Sequence, residues 1–170
     1  MTTRQRPENS ADHGIRPSEY RLPESTHLGR VRLQVADLYR SIAFYEKVLG
    51  MRVIRRTPDS AGLGPYGEDR EIVHLRQLAT ARPVPKRGLL GLCHFAILVP
   101  DRASLGRFVA HMAEIGERAG MSDPFVSEAV YLTDPDGLGS EVYADRPRDA
   151  WRYDVRHLCM TPHHLDVTGI

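Results

Sequence analysis

Val31-Arg32-Leu33-Gln34-Val35-Ala36-Asp37 and, further along, His94-Phe95-Ala96-Ile97-Leu98-Val99-Pro100-Asp101 are the two stretches on which the fold turns. In the first, Val31, Leu33 and Val35 alternate with Arg30, Arg32 and Gln34, the period of two that gives a strand one apolar and one polar face. Asp37 then caps a helix whose apolar stripe is Ile42, Tyr45, Val48 and Leu49, and Gly50 suits left-handed backbone past its end. Residues 51–55 read as a second strand, a Gly/Pro/Asp loop runs through Asp69, and residues 71–78 read as another strand. The second stretch begins the same order again. Strand 94–99 leads to a helix opened by Pro100-Asp101 that carries Leu105, Phe108, Val109 and Met112, with Gly116 behind it. Strands at 129–133 and 140–143 then flank the tight turn Asp134-Pro135-Asp136-Gly137.

This order is an internal repeat. Placing Val35-Ala36-Asp37 on Val99-Pro100-Asp101 gives an offset of 99 − 35 = 64 and superposes Phe44 on Phe108, whereas the final strands align at 141 − 74 = 67. The growth falls in loops. Units this short cannot bury both faces of a sheet alone, so the repeat predicts two modules pairing their concave sheets around a shared cleft. The expected fold is α+β, with paired βαβββ modules at residues 27–80 and 90–146 inside one domain, 25–147. A Pro-rich connector spans 81–87, and a tail occupies 148–170. Residues 1–24 are polar without apolar periodicity, which predicts a mobile arm docking at most through Tyr20 or Leu22.

Composition removes several function classes. Lys and Arg total 23 against 22 Asp and Glu, a formal charge of +1, so no overall field draws in nucleic acid or an anionic membrane. The Arg content, 21 of those 23 cations, is spread along the chain and reads as surface usage. No apolar run approaches the ~18–20 residues of a membrane span, and the first 20 residues lack the apolar core of a secretory signal. With only two cysteines, Cys93 and Cys159, and no C-x-x-C spacing, the expectation is a cytoplasmic protein with free thiols. Gly62-Leu63-Gly64-Pro65-Tyr66-Gly67 satisfies G-x-G-x-x-G, but no helix follows and Pro65 lacks an amide donor, so dinucleotide binding is rejected. Cys93 adjoins His94 in a strand and is expected to point to the opposite face, which leaves no Cys-His nucleophile pair.

The stretch 28–146, about 70% of the chain, resembles the vicinal oxygen chelate superfamily of glyoxalases, bleomycin-resistance proteins, fosfomycin-resistance enzymes and extradiol dioxygenases. Val35-Ala36-Asp37-Leu38 with Ser41-Ile42-Ala43-Phe44-Tyr45 and Val48-Leu49-Gly50-Met51 looks like that family's first module, and the segment from His94 to Asp101 like the start of its second. Asp134-Pro135-Asp136-Gly137 with Glu141-Val142-Tyr143 resembles the closing hairpin that carries its carboxylate ligand. Gly91-Leu92-Cys93-His94-Phe95-Ala96, Val126-Ser127-Glu128-Ala129-Val130-Tyr131-Leu132 and Asp145-Arg146-Pro147-Arg148 are similar to the first half of bacterial two-domain catechol 2,3-dioxygenases.

The repeat relates Arg30 to His94 and His74 to Glu141, and the resemblance implies a metal held by His74, His94 and Glu141. Two histidines and a carboxylate with open positions suit Fe(II), with Mn(II), Ni(II) or Zn(II) competing. Arg30 departs from the family pattern, since a guanidinium cannot ligate a metal. Its expected role is to stabilise a substrate anion or to pair with Glu141, and Tyr131 and Tyr143 are candidate hydroxyl donors. His27 reads as a loop residue, His111 as a side chain snorkelling beside the second helix's stripe, and His163-His164 as solvated. The implied function is metal-dependent, glyoxalase- or extradiol-dioxygenase-like chemistry on a small oxygen-rich or catechol-like ligand. The alternatives are a metal-free binding module of the bleomycin-resistance type and a non-catalytic half that needs a partner. Trp151, Tyr153, Leu158, Met160 and Leu165 in the tail further predict apolar surface covered in a homodimer.

Overall fold

The structure, a computed structural model, describes residues 20–23, 25–82, 91–154, 157–161, 163–167 and 169–170. Most of the expected arm, and the connector from residue 83 onward, lie outside the described residues. Tyr20 and Leu22 do not dock, being 77% and 67% exposed.

Two modules of the same topology make up the chain. The first runs β1 (Val31–Val35), α1 (Leu38–Lys47), β2 (Arg52–Arg56), β3 (Ser60–Gly64) and β4 (Val73–Gln77). The second runs β5 (His94–Leu98), α2 (Arg102–Ile115), β6 (Gly120–Ser122), β7 (Ser127–Thr133) and β8 (Gly139–Asp145). Their sheets have the orders β1-β4-β3-β2 and β5-β8-β7-β6, parallel between β1 and β4 and between β5 and β8, antiparallel elsewhere. Register reproduces the repeat arithmetic. Arg32 lies opposite His74 and Ala96 opposite Glu141, so offsets of 96 − 32 = 64 and 141 − 74 = 67 carry one pair onto the other.

Local chemistry explains the helix ends. The Asp37 carboxylate accepts from Arg40 N at 3.0 Å and that of Asp101 from Ser104 N at 2.7 Å, satisfying amides that a helix start leaves free. Gly50 at φ +65° and Gly116 at φ +67° take the left-handed positions after the helices at no steric cost.

Two strands depart from expectation. The segment read as loop contains β3, an interior strand, and β6 is a three-residue edge strand with no room to show a period. Glycine disguised β3. A Cβ on Gly62 would overlap the Glu71 carboxylate and one on Gly64 the Arg70 carbonyl, so glycine marks close approach rather than a turn.

The modules join through α1. Tyr45, fully buried, stacks on Phe95 at 6.4 Å between ring centroids and donates its hydroxyl to Asp134 Oδ2 at 3.2 Å. Asp136, in the β7–β8 turn, accepts from Ala36 N at 2.8 Å and pairs with Arg40. Rather than snorkelling, His111 places Nε2 2.8 Å from the Lys47 carbonyl, tying α2 to α1. Past β8, a short 3-10 turn (Arg148–Ala150) and the hairpin of β9 (Tyr153–Asp154) and β10 (His157–Leu158) lead back over the second module. There His163, exposed as expected, also bridges Asp123 through its backbone and packs on Phe125 at 4.4 Å. Leu165 is buried, while Tyr153 and Met160 stay 40% and 57% exposed.

Candidate functional site

Each module leaves open the sheet face that its helix does not cover. In the first, Leu33, Val35, Val73 and Leu75 are buried in the cluster with α1, which turns Arg32, Gln34, His74 and Arg76 to the other face. In the second, Val130, Val142 and Ala144 pack with Leu105 of α2, which turns His94, Ala96, Leu98, Tyr131, Glu141 and Tyr143 outward.

On the second face the strands deliver His94 and Glu141 to the same place, Nε2 lying 3.5 Å from Oε2, with the imidazole about half exposed and the carboxylate largely covered. Tyr131 stands directly opposite Glu141 across β7 and β8. Burial first, then the Glu141 charge and a hydrogen bond to that carboxylate, raise the Tyr131 pKa above the ordinary tyrosine value. Tyr143 is raised by burial and by Asp145 and Glu141. Both hydroxyls therefore keep their protons at neutral pH and serve as donors. Cys93 corrects the sequence expectation: it precedes β5, alternation does not govern it, and its Sγ lies 3.6 Å from His94 Nδ1. The imidazole thus has a thiol on one nitrogen and a carboxylate on the other.

The first face is built differently. Arg30 Nη1 donates to Glu71 Oε2 at 2.7 Å, and Arg55 Nη2 stands 2.7 Å from Glu71 Oε1. The expected alternative of an Arg30–Glu141 pair does not form. His74 Nδ1 is 3.7 Å from Glu71 Oε2, too long for a hydrogen bond, and is buried without a partner. His27 is in a loop, its Nδ1 3.0 Å from the Ser25 carbonyl. Sequence reasoning singled out neither Glu71 nor Arg55; the available signal was the i, i+3 spacing of Glu71 and His74. Of the expected donors His74, His94 and Glu141, the fold brings the last two together and places His74 with Glu71. Among the described residues no three His, Cys, Asp or Glu side chains stand close enough together to hold a metal ion.

Residues 27–142 match the profile of the Glyoxalase/Bleomycin resistance protein/Dioxygenase superfamily. The chain belongs to this superfamily. A catechol-2,3-dioxygenase of Bacillus subtilis (strain 168) is 43% identical over 148 residues, 86% of this chain and 52% of that protein, so the chain spans about half the length of this relative. Among solved structures, a lactoylglutathione lyase from Agrobacterium tumefaciens superposes with a TM-score of 0.56 at 21% identity, covering 72% of this chain and 96% of that one. A glyoxalase/dioxygenase from Nostoc punctiforme does so with 0.56 at 20%, covering 77% and 100%. These structures share the superfamily fold, and they establish the α+β class expected from the repeat. Among the described residues no helix is long and apolar enough to cross a membrane.

Proposed function

We propose that the chain binds a small oxygen-rich or catechol-like aromatic molecule on the open face of its second module and acts there as a metal-dependent, extradiol-dioxygenase-like oxidoreductase in the cytoplasm. The observation that carries this reading is the His94–Glu141 pair, two donors of the right chemistry 3.5 Å apart with two protonated tyrosines beside them. The likeness to a catechol-2,3-dioxygenase supports it. A divalent ion, Fe(II) first and Mn(II), Ni(II) or Zn(II) as competitors, would be held by His94 and Glu141 and would supply chelation and acidification of two adjacent ligand oxygens. Tyr143 donates a hydrogen bond to a ligand oxygen, while the Tyr131 hydroxyl donates to Glu141 and orients that carboxylate, leaving the phenol oxygen as an acceptor beside the ligand. Exposed Leu98, on the same face, offers apolar contact to a ring. Arg30, expected to stabilise a ligand anion, is committed to Glu71 in the chain as it stands.

Elemental analysis of protein purified without chelator or affinity-tag metal tests this. Near-stoichiometric metal that His94→Ala and Glu141→Gln abolish, and that His74→Ala leaves in place, is the expected result. Metal unchanged in His94→Ala removes the assignment. A second reading, a metal-free binding module, is favoured by His74 standing with Glu71 rather than with His94 and Glu141. It predicts catechol binding to metal-free protein with no metal uptake. We also propose a homodimer, supported by Leu92, Leu98 and Met160, each more than half exposed. Light scattering at micromolar concentration should give about twice the 19.2 kDa of one chain.

A further inference from the structure

Arginines that look scattered in the sequence are gathered by the first sheet. Register puts Arg32 opposite His74, Gln34 opposite Arg76, and Arg55 opposite Gly62, which itself faces His74. With Arg30 leading into β1, four guanidinium groups drawn from positions 30 to 76 share one open face. At the positions related by register to these four the second module has His94, Ala96, Gly120 and Tyr143, with no arginine, so the sheet does not require this charge.

One carboxylate already occupies part of the face. Glu71, about 10% exposed, lies in the space that the missing Cβ of Gly62 leaves, gripped by Arg30 on one oxygen and Arg55 on the other at 2.7 Å each. The chain thereby shows that this surface accepts and orients a carboxylate. The remaining two cations have no such guest. Arg32 and Arg76, both exposed on adjacent parallel strands two register steps apart, have no ion-pair or hydrogen-bond partner for their guanidinium groups among the described residues. Neighbouring strands are ~4.8 Å apart, so two extended arginine side chains on one face reach a common point, where like charges repel unless an anion lies between them. Gln34, on the same face beside Arg32 and opposite Arg76, adds an amide donor.

We propose that Arg32, Arg76 and Gln34 form a binding site for the anionic group of a small molecule, a carboxylate or a phosphate monoester, next to the carboxylate-filled Arg30–Arg55 pair. Planar guanidinium forks suit both groups, because each offers two oxygens to parallel N–H donors. The site requires neither the metal nor the second-module chemistry proposed above, and stands or falls without them.

The test titrates the full chain with benzoate and, separately, with phenyl phosphate, by calorimetry at a constant ionic strength set with chloride. Saturable binding of one molecule per chain is expected, weakened at least tenfold by Arg32→Gln and by Arg76→Gln, whose exposed positions keep the fold intact. Preference for benzoate identifies the carboxylate as the natural group and preference for phenyl phosphate the monoester. Glu71→Gln frees Arg30 and Arg55 and should strengthen binding several-fold. Arg107→Gln removes an exposed charge on α2, away from this face, and should leave affinity unchanged. No saturable binding of either probe, or equal weakening by Arg107→Gln and Arg32→Gln, overturns the proposal.

Discussion

The two open faces are the same backbone with opposite chemistry. Strand order, parallel pairing and even the residue opposite each site position repeat between the modules, yet one face gathers Arg30, Arg32, Arg55 and Arg76 around Glu71 and the other sets His94, Glu141, Tyr131 and Tyr143 side by side. The difference is made by single positions on a fixed scaffold. Gly62 stands opposite His74 as Tyr131 stands opposite Glu141, so the second sheet carries a tyrosine side chain where the first has none. Room for a carboxylate against the sheet therefore exists on one side only. A scaffold that repeats this closely lets one module keep donor-type residues while the other changes role, because each open face contributes little to the buried core beneath it.

The strongest way to break this comparison is to put a side chain into that gap. Gly62→Ala should cost about 2 kcal/mol in urea unfolding, because the new Cβ displaces the Glu71 carboxylate from two ion pairs and overpacks the sheet. Ala129→Gly, within β7 of the other sheet, is the control and should cost roughly 1 kcal/mol, the ordinary effect of glycine within a strand. If overlap with Glu71 is the cause, the double variant Gly62→Ala with Glu71→Ala should lose less than the sum of its parts, as contacting residues do. Strict additivity would show that Gly62 serves backbone freedom instead.

A smaller contrast lies in the two glutamates. Glu71→Gln should lower stability by about 1 kcal/mol, since Arg30 and Arg55 then share a face with Arg32 and Arg76 and no charge opposes them. Glu141→Gln should stay within ~0.5 kcal/mol, because its imidazole partner is about half exposed and 3.5 Å away. Equal losses would mean that Glu141 is as structural as Glu71 and would weaken the functional reading of the second face.

What the amino-acid order disclosed, and what it withheld, follows the same division. Strands β1 and β5 and both helices were legible because burial on one side imposes a period, and the Asp caps and following glycines punctuate it. The offsets 64 and 67 were legible because both modules obey the same topology, and they placed His94 beside Glu141 correctly. Strand β3 was hidden because glycine normally signals a turn, and only the tertiary approach of Glu71 explains it. The partners of Arg30 and His74 were hidden for a related reason. The expected strand 71–78 included Glu71 and would turn it with Val73 toward the core, but β4 begins at Val73, so alternation does not govern Glu71 and it reaches the open face. Cys93 was misplaced because alternation was extended one residue before the strand begins.

The least effect, and the one that tests the joint between the modules rather than either face, concerns Asp134. Its carboxylate is buried, accepting at Oδ1 from the amides of Asp136 and Leu138 at 2.9 Å and at Oδ2 from the Tyr45 hydroxyl at 3.2 Å. Burial raises its pKa above the ordinary 3.8, the hydrogen bonds oppose that, and burial wins. The native state therefore holds the proton more tightly than the unfolded chain does. It follows that this group's contribution to stability is fully present below pH 3.8 and declines as pH rises through the higher folded value. Asp134→Asn keeps the acceptor for the two amides and removes the titration. The stability difference, wild type minus variant, should therefore fall with rising pH just above 3.8 and then level off, read from urea midpoints followed by circular dichroism between about pH 3.5 and 7. Tyr45→Phe should leave the direction of that slope unchanged, since the Tyr45 bond lowers the Asp134 pKa and its removal lets burial act unopposed at that oxygen. A difference that rises with pH would mean the hydrogen bonds outweigh burial, and the junction would then be held chiefly by the donors around the Asp134 carboxylate.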